Sequence, residues 1–210
     1  MFRDRTEAGR MLAQRLEHLR GGDLVVLGLP RGGVPVASEV ARGLSAPLDV
    51  IMVRKLGVPF QPELAMGAIG EGGVRILNTR VLSLAGVNDH QLAAIEAKER
   101  RELERRVSLY RGAAQRISLE GRTAVIVDDG IATGSTIRAA AEVAREQGAA
   151  QIVIAAPVAP ADTLAALESV ADEVVVVDIP EPFLAIGSFY RDFTQTNDTE
   201  VTRLLESSRG

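Results

Sequence analysis

The stretch from Thr123 to Gln147 limits the architectures open to this chain more than any other. Thr123 to Val127 is a β-branched, almost wholly apolar run; Asp128 to Gly134 is polar and glycine-containing; Ser135 to Gln147 then carries apolar residues at helical spacing until Gly148. A strand with no polar alternation is covered on both faces. The same strand-then-helix pattern continues through Ile152 to Pro157, a helix over Asp162 to Glu168, and the apolar run Val174 to Val177. It also precedes the stretch: Leu24 to Leu27, a helix over Val34 to Arg42, then Leu48 to Val53. Strands that alternate with helices predict an α/β fold, a parallel sheet with helices on both faces and right-handed crossovers.

The remaining segments decorate that core. Asp4 with Glu7 three residues on reads as a capping box, followed by Met11, Leu12, Leu16 and Leu19 on a helix that Gly21-Gly22 stops. Gly57 to Leu84 mixes glycine and proline with short apolar pieces, the pattern of hairpins or loops. Asn88 and Gln91 cap a second helix, densely charged with alternating sign through Arg111; it reads as a solvated helix laced with ion pairs. From Asp178 onward, prolines and aromatics break the rhythm and suggest a cap over one end of the sheet. The expectation is one domain over 1–210, with its core at about 24–178, a helical insertion at about 88–112 and a hood at about 178–210.

Composition excludes several functions. There is no cysteine and only two histidines, His18 and His90, so thiolate and histidine-rich metal sites are out and any metal is oxygen-ligated. The formal net charge of -4 weighs against bulk affinity for nucleic acid or an anionic membrane. The charged start, Met1 to Arg5, is unlike a signal peptide, and no apolar run reaches the length of a membrane span. A cytoplasmic protein is expected.

Ligands of open parallel sheets bind beyond the carboxyl ends of the strands. After Val127 come Asp128, Asp129, Gly130, Ile131, Ala132, Thr133, Gly134, Ser135 and Thr136. The glycines allow tight turns, while hydroxyls and free backbone N–H groups at a helix N-terminus suit a phosphate. The loop lacks the lysine of a nucleotide-triphosphatase loop and the spacing of a dinucleotide fingerprint. Two carboxylates beside a phosphate cradle need another partner on the same ligand, and a sugar diol or hydrated Mg²⁺ supplies it.

The string Val125-Ile-Val-Asp-Asp-Gly-Ile-Ala-Thr-Gly-Ser-Thr136 resembles the 13-residue signature of type I phosphoribosyltransferases. The resemblance implies that Asp128 and Asp129 hold the ribose hydroxyls, and Mg²⁺ through water, while Gly130 to Thr136 wrap the 5-phosphate. Pro30, Arg31, Gly32 and Gly33, after the first strand, resemble the family's pyrophosphate loop. Arg54 and Lys55, read at the end of the second strand, are similar to its R-K element and would neutralise the leaving pyrophosphate. Asp178-Ile179-Pro180-Glu181-Pro182-Phe183 with Gly187 resembles the stretch bordering the base pocket of hypoxanthine-guanine enzymes. Val177 stands where an aromatic stacks on the purine and Pro157 where a lysine reads it, which weighs against a 6-oxopurine.

The implied activity is Mg²⁺-dependent transfer of the phosphoribosyl group of phosphoribosyl pyrophosphate to a nitrogenous base. A regulatory sensor of phosphoribosyl pyrophosphate or a nucleotide is the alternative from another class. The implied partners are small molecules, and a homo-oligomer stays open.

Overall fold

The apolar runs do become adjacent strands, and their alternate residues enter two different cores. The computed structural model describes residues 1–112 and 114–208; Ala113, Arg209 and Gly210, inside the expected domain and hood limits, lie outside the described residues. In chain order the elements are α1 (Arg5–Arg15), β1 (Leu24–Gly28), α2 (Gly33–Leu44), β2 (Leu48–Val50), β3 (Val53–Val58), β4 (Gln61–Gly70) and β5 (Arg75–Leu77). There follow α3 (Thr79–Leu84), α4 (Asp89–Arg111), β6 (Thr123–Val127), α5 (Ser135–Glu146), β7 (Gln151–Val158), α6 (Ala161–Leu167), β8 (Glu173–Asp178) and α7 (Asp198–Ser207).

The main sheet is parallel, in the order β2-β1-β6-β7-β8, with Gly28 opposite Val127. Val26, Val125, Val127 and Val153 face the cluster built with α1, α2, α4 and α7. Val25, Leu27, Ala124, Ile126 and Ile154 face the cluster built with α5. Ile126 and Ile154 are fully buried, so truncating either to Ala costs about 2–5 kcal/mol. Among the described residues no helix is long and apolar enough to cross a membrane.

Four expectations are corrected. The run Leu48 to Val53 is two strands: the chain leaves the main sheet at Val50, passes through buried Ile51 and Met52, and enters an antiparallel sheet in the order β3-β4-β5. Arg54 and Lys55 therefore lie inside β3, opposite Ile69 and Ala68, not beyond a parallel strand end. The first helix stops at Arg15, and a separate 3-10 turn covers Glu17–Leu19. The capping box there is half formed: Asp4 accepts from the Glu7 amide at 2.8 Å, but the Glu7 carboxylate takes the amide of Arg3 instead.

Helix α4 has the full capping box that Asn88 and Gln91 announce. Its charges do more than solvate it. Glu96 pairs with Arg100 and with Arg75 of β5, Glu99 pairs with Arg54 of β3, and Arg111 is buried against Asp49 and Glu71. The helix is thus fastened to the antiparallel sheet and to the end of β2. Tyr110 on its last turn donates to Asp198 of α7 at 2.6 Å.

Candidate active site

The loop after β6 opens onto a cavity of about 170 Å³ lined by Asp128, Gly130 to Ile137 and Ile186. Gly134 has a φ of 72°, a left-handed conformation that lets the chain turn into α5. Among the described residues the amides of Ala132, Thr133, Gly134, Thr136 and Ile137 have no protein acceptor. The Ile131 amide is used by the Val158 carbonyl at 2.8 Å, which ties the loop to β7. A cluster of unpaired N–H groups at the positive end of a helix stabilises an anion. Gly130 is required for closeness, because a Cβ there would lie 2.5 Å from Ile186 Cγ2.

The acidic pair lies between this loop and the loop after β1. Burial, and then the neighbouring Asp129 carboxylate, pushes Asp128 well above the usual carboxylate range. Burial also raises Asp129, against the pull of the Arg5 guanidinium. The Asp129 carbonyl accepts the Tyr190 hydroxyl at 2.6 Å, and Arg5 Nε donates to Asp129 Oδ2 at 2.8 Å. On the other side is Gly32, where a Cβ would overlap Asp129 Oδ2 and lie 2.7 Å from Cγ. The β1 and β6 loops thus meet at a point only glycine permits.

Within the β1 loop the Pro30–Arg31 peptide is cis. The Gly33 amide donates to the Leu29 carbonyl at 3.0 Å as α2 begins, so it does not face a ligand. Among the described residues the Arg31 and Gly32 amides have no protein acceptor. The Arg31 guanidinium, partly exposed, is 3.8 Å from Asp198.

The β3 pair opens on a separate groove of about 450 Å³, which also takes in Lys98, Glu99 and Thr136 of the phosphate-like loop. Arg54 is held by Glu99, while Lys55 is 3.3 Å from the highly exposed Glu63, a tie water easily replaces. Lys55 and the loop after β6 therefore border the same groove. The tail aromatics pack on each other: Phe183 on Phe189 and Tyr190 between Phe2 and Phe193, with centroids 5.0–5.4 Å apart. Phe2 is bound into this hood, its amide donating to Phe189 and its carbonyl accepting from Arg191.

A sequence profile of the phosphoribosyl transferase domain matches residues 5–193. The chain belongs to the phosphoribosyl transferase family. A Mycobacterium tuberculosis relative, named provisionally as a phosphoribosyl transferase, is 56% identical over 206 residues. That match takes in 98% of this chain and 46% of the relative, so the chain spans about half the length of the curated relatives it matches. The crystal structure of TT1426 from Thermus thermophilus is 42% identical and superposes with a TM-score of 0.92, covering 100% of this chain and 99% of that one. AQ2163 from Aquifex aeolicus shares the fold alone, at 13% identity and a TM-score of 0.51 over 87% of this chain and 76% of that one.

Arg5 and Asp198 reach the site loops with no local signal in the sequence, and Tyr190, one of the tail aromatics that pack in the hood, also bonds the Asp129 carbonyl through its hydroxyl. Each acts on a site loop from a distant part of the chain. The Asp4 cap does locate the helix that begins at Arg5, but no local signal links Arg5 to Asp129.

Proposed function

We propose that this chain transfers the 5-phosphoribosyl group of phosphoribosyl pyrophosphate to a nitrogenous base, releasing pyrophosphate. The observation that carries the reading is the pairing of five unpartnered amides with two half-buried to buried carboxylates at the end of β6. A phosphate with a vicinal diol one sugar away matches both halves. The amides of Ala132, Thr133, Gly134, Thr136 and Ile137, with the Thr133, Ser135 and Thr136 hydroxyls, would bind the 5-phosphate, and Asp128 and Asp129 the ribose hydroxyls.

The acceptor's nitrogen attacks the ribose C1 as the bond from C1 to the pyrophosphate oxygen breaks, through an oxocarbenium-like state by analogy with glycoside chemistry. Arg31, with the Arg31 and Gly32 amides, would take the diphosphate. Lys55, released from Glu63, and Arg54 would oppose the charge that builds on the leaving group. Mg²⁺ fits the donor set: a hard ion that keeps several waters and takes substrate phosphate oxygens needs only one or two protein carboxylates, and Asp128 and Asp129 would hold it through water. When bound, it supplies charge neutralisation of the diphosphate. Val177 and Pro157, in place of a stacking aromatic and a reading lysine, point away from 6-oxopurine acceptors.

The sensor reading has one observation behind it: Arg54 is already neutralised by Glu99. Pyrophosphate release across a panel of purines, pyrimidines and smaller heterocycles separates the two, with wild type and Lys55→Ala in parallel. Lys55→Ala should lower kcat by about tenfold, or about 1.4 kcal/mol of barrier, with a smaller loss in binding. Tight Mg²⁺-dependent binding of phosphoribosyl pyrophosphate with silence across the panel would leave the sensor standing.

A further inference from the structure

Arg5 is the first residue of α1, yet its guanidinium turns back to the acidic pair. Nε donates to Asp129 Oδ2 at 2.8 Å, Nη2 lies 2.8 Å from the same oxygen, and Nη1 donates to the Thr194 carbonyl at 2.8 Å. The guanidinium also covers the Phe193 ring, 4.1 Å from its centroid. Each of its three nitrogens has an oxygen partner, and both its side chain and that of Asp129 are only 12% exposed.

The effect falls on Asp129 as a ligand. Arg5 Nε takes one lone pair of Oδ2, and the Nη2 end of the cation lies against the same oxygen. Gly32 packs against that same oxygen and closes its remaining approach. The Tyr190 hydroxyl fixes the Asp129 carbonyl from the hood side. Oδ1 is the oxygen left to accept from a ligand, and its direction is set by the other three contacts. Two adjacent carboxylates in a buried place also repel each other, and a cation in contact with one of them offsets that cost. Arg5 is itself held in place, because the Phe2 and Arg3 carbonyls accept from the Arg191 and Asp192 amides at 2.9 Å.

We infer that Arg5 is a positioning residue that presents Asp129 Oδ1 to the ribose and couples the ribose site to the hood. This rests on the reading of the acidic pair as the ribose site. A residue that merely glues the hood would weaken every ligand alike. A residue that aims a ribose-binding oxygen weakens ribose ligands and spares those that contact only the β1 loop.

The test is calorimetry in Mg²⁺ with ribose 5-phosphate and inorganic pyrophosphate as probes, on wild type, Arg5→Ala, Arg5→Lys, Asp128→Asn, Asp129→Asn and the Arg5→Ala/Asp129→Asn double variant. Arg5→Ala should lose about tenfold or more in ribose 5-phosphate affinity, the scale of one charge-assisted hydrogen bond, with pyrophosphate changed by less than about twofold. Arg5→Lys keeps the charge but not the fork and should recover part of the loss. In the double variant the Arg5 change should add almost nothing to Asp129→Asn. Equal losses for both probes, additive effects, or a gain in ribose 5-phosphate affinity would each overturn the inference; a gain would make Arg5 a competitor for Asp129. If Arg5→Ala does not fold, Arg5→Lys against Asp129→Asn carries the same comparison. Should Asp129→Asn and Asp128→Asn both bind ribose 5-phosphate like wild type, the failure lies with the ribose-site reading, not with Arg5.

Discussion

Replacing Gly32 and Gly33 by alanine, one at a time, separates binding from folding at the junction of the two loops. Gly32 has φ −59° and ψ −32°, a helical conformation that alanine adopts freely, so the backbone alone favours the change by about 0.4–1 kcal/mol. The new Cβ, however, overlaps Asp129 Oδ2. The carboxylate must rotate away, and it gives up a hydrogen-bonded ion pair worth about 1.5–3 kcal/mol. The net destabilisation is about 0.5–2.6 kcal/mol, or about 1–10 °C in Tm for a chain of this size. At Gly33 the obstacles are the Val127 carbonyl at 2.6 Å and Asp128 Cα at 2.9 Å, which are backbone and cannot rotate aside. Gly33→Ala should therefore cost at least the upper end of the overpacking range, about 3 kcal/mol. Differential scanning calorimetry gives the order of stability, and titration with ribose 5-phosphate in Mg²⁺ should show Gly32→Ala weaker by about tenfold or more. The reasoning fails if Gly32→Ala binds like wild type, or if Gly33→Ala proves the more stable of the two.

Three further outcomes follow from contacts elsewhere. Among the described residues Asp49→Ala leaves Arg111, whose side chain is 3% exposed, with only Glu71 as counter-charge, so urea denaturation should show a loss of about 3–5 kcal/mol at unchanged m-value, and a loss under about 1 kcal/mol would contradict the buried-pair account. Burial, reinforced by the bond to Asp198, pushes Tyr110 up to about 12, and burial pushes Tyr190 up as well. Because both values are raised, their contribution to stability is intact below the ordinary tyrosine value of 10.0 and fades as pH climbs through the folded values; tyrosinate absorbance appearing at pH 10 in folded protein would refute this, and Tyr110→Phe should flatten the alkaline fall between 10 and about 12. Asp198→Asn frees Arg31 from a loose ion pair, so pyrophosphate affinity should rise by up to about fivefold at low salt and less at high salt, where a fall would show that Asp198 orients Arg31 and does not compete for it.

The parts of the fold that could be read from the sequence are those written in contiguous residues. The stretch from Thr123 to Gln147 announces its strand, loop and helix because period, turn chemistry and helix start occur in one window, and the phosphate-like cavity lies there. The place of Arg54 and Lys55 is not legible, for the opposite reason. Leu48 to Val53 is apolar throughout, and buried Ile51 and Met52 look the same in sequence whether the chain continues a strand or crosses to another sheet. The Gly33 amide reads as a free donor, yet Leu29, four residues back, already holds it. Arg5 and Asp129 stand 124 residues apart, and Asp198 meets Arg31 only because α7 returns over α2 and α4. Pairings of that range leave no periodic trace.

The stitching of Phe2 and Arg3 to the hood also sets an order of events during synthesis. Phe2 leaves the ribosome long before Phe189 and Arg191, and 189 residues separate Arg5 from its acceptor at Thr194. Until the far strand of that seam is made, Phe2 has no ring to pack on, the Arg5 fork lacks a carbonyl, and Asp129 lacks its tyrosine. The parallel sheet can assemble earlier, since β1, β6 and β7 precede the hood in the chain. Synthesis can therefore reach a stage with the scaffold formed and Asp129 without its Arg5 and Tyr190 contacts, which wait for the segment that ends at Thr194.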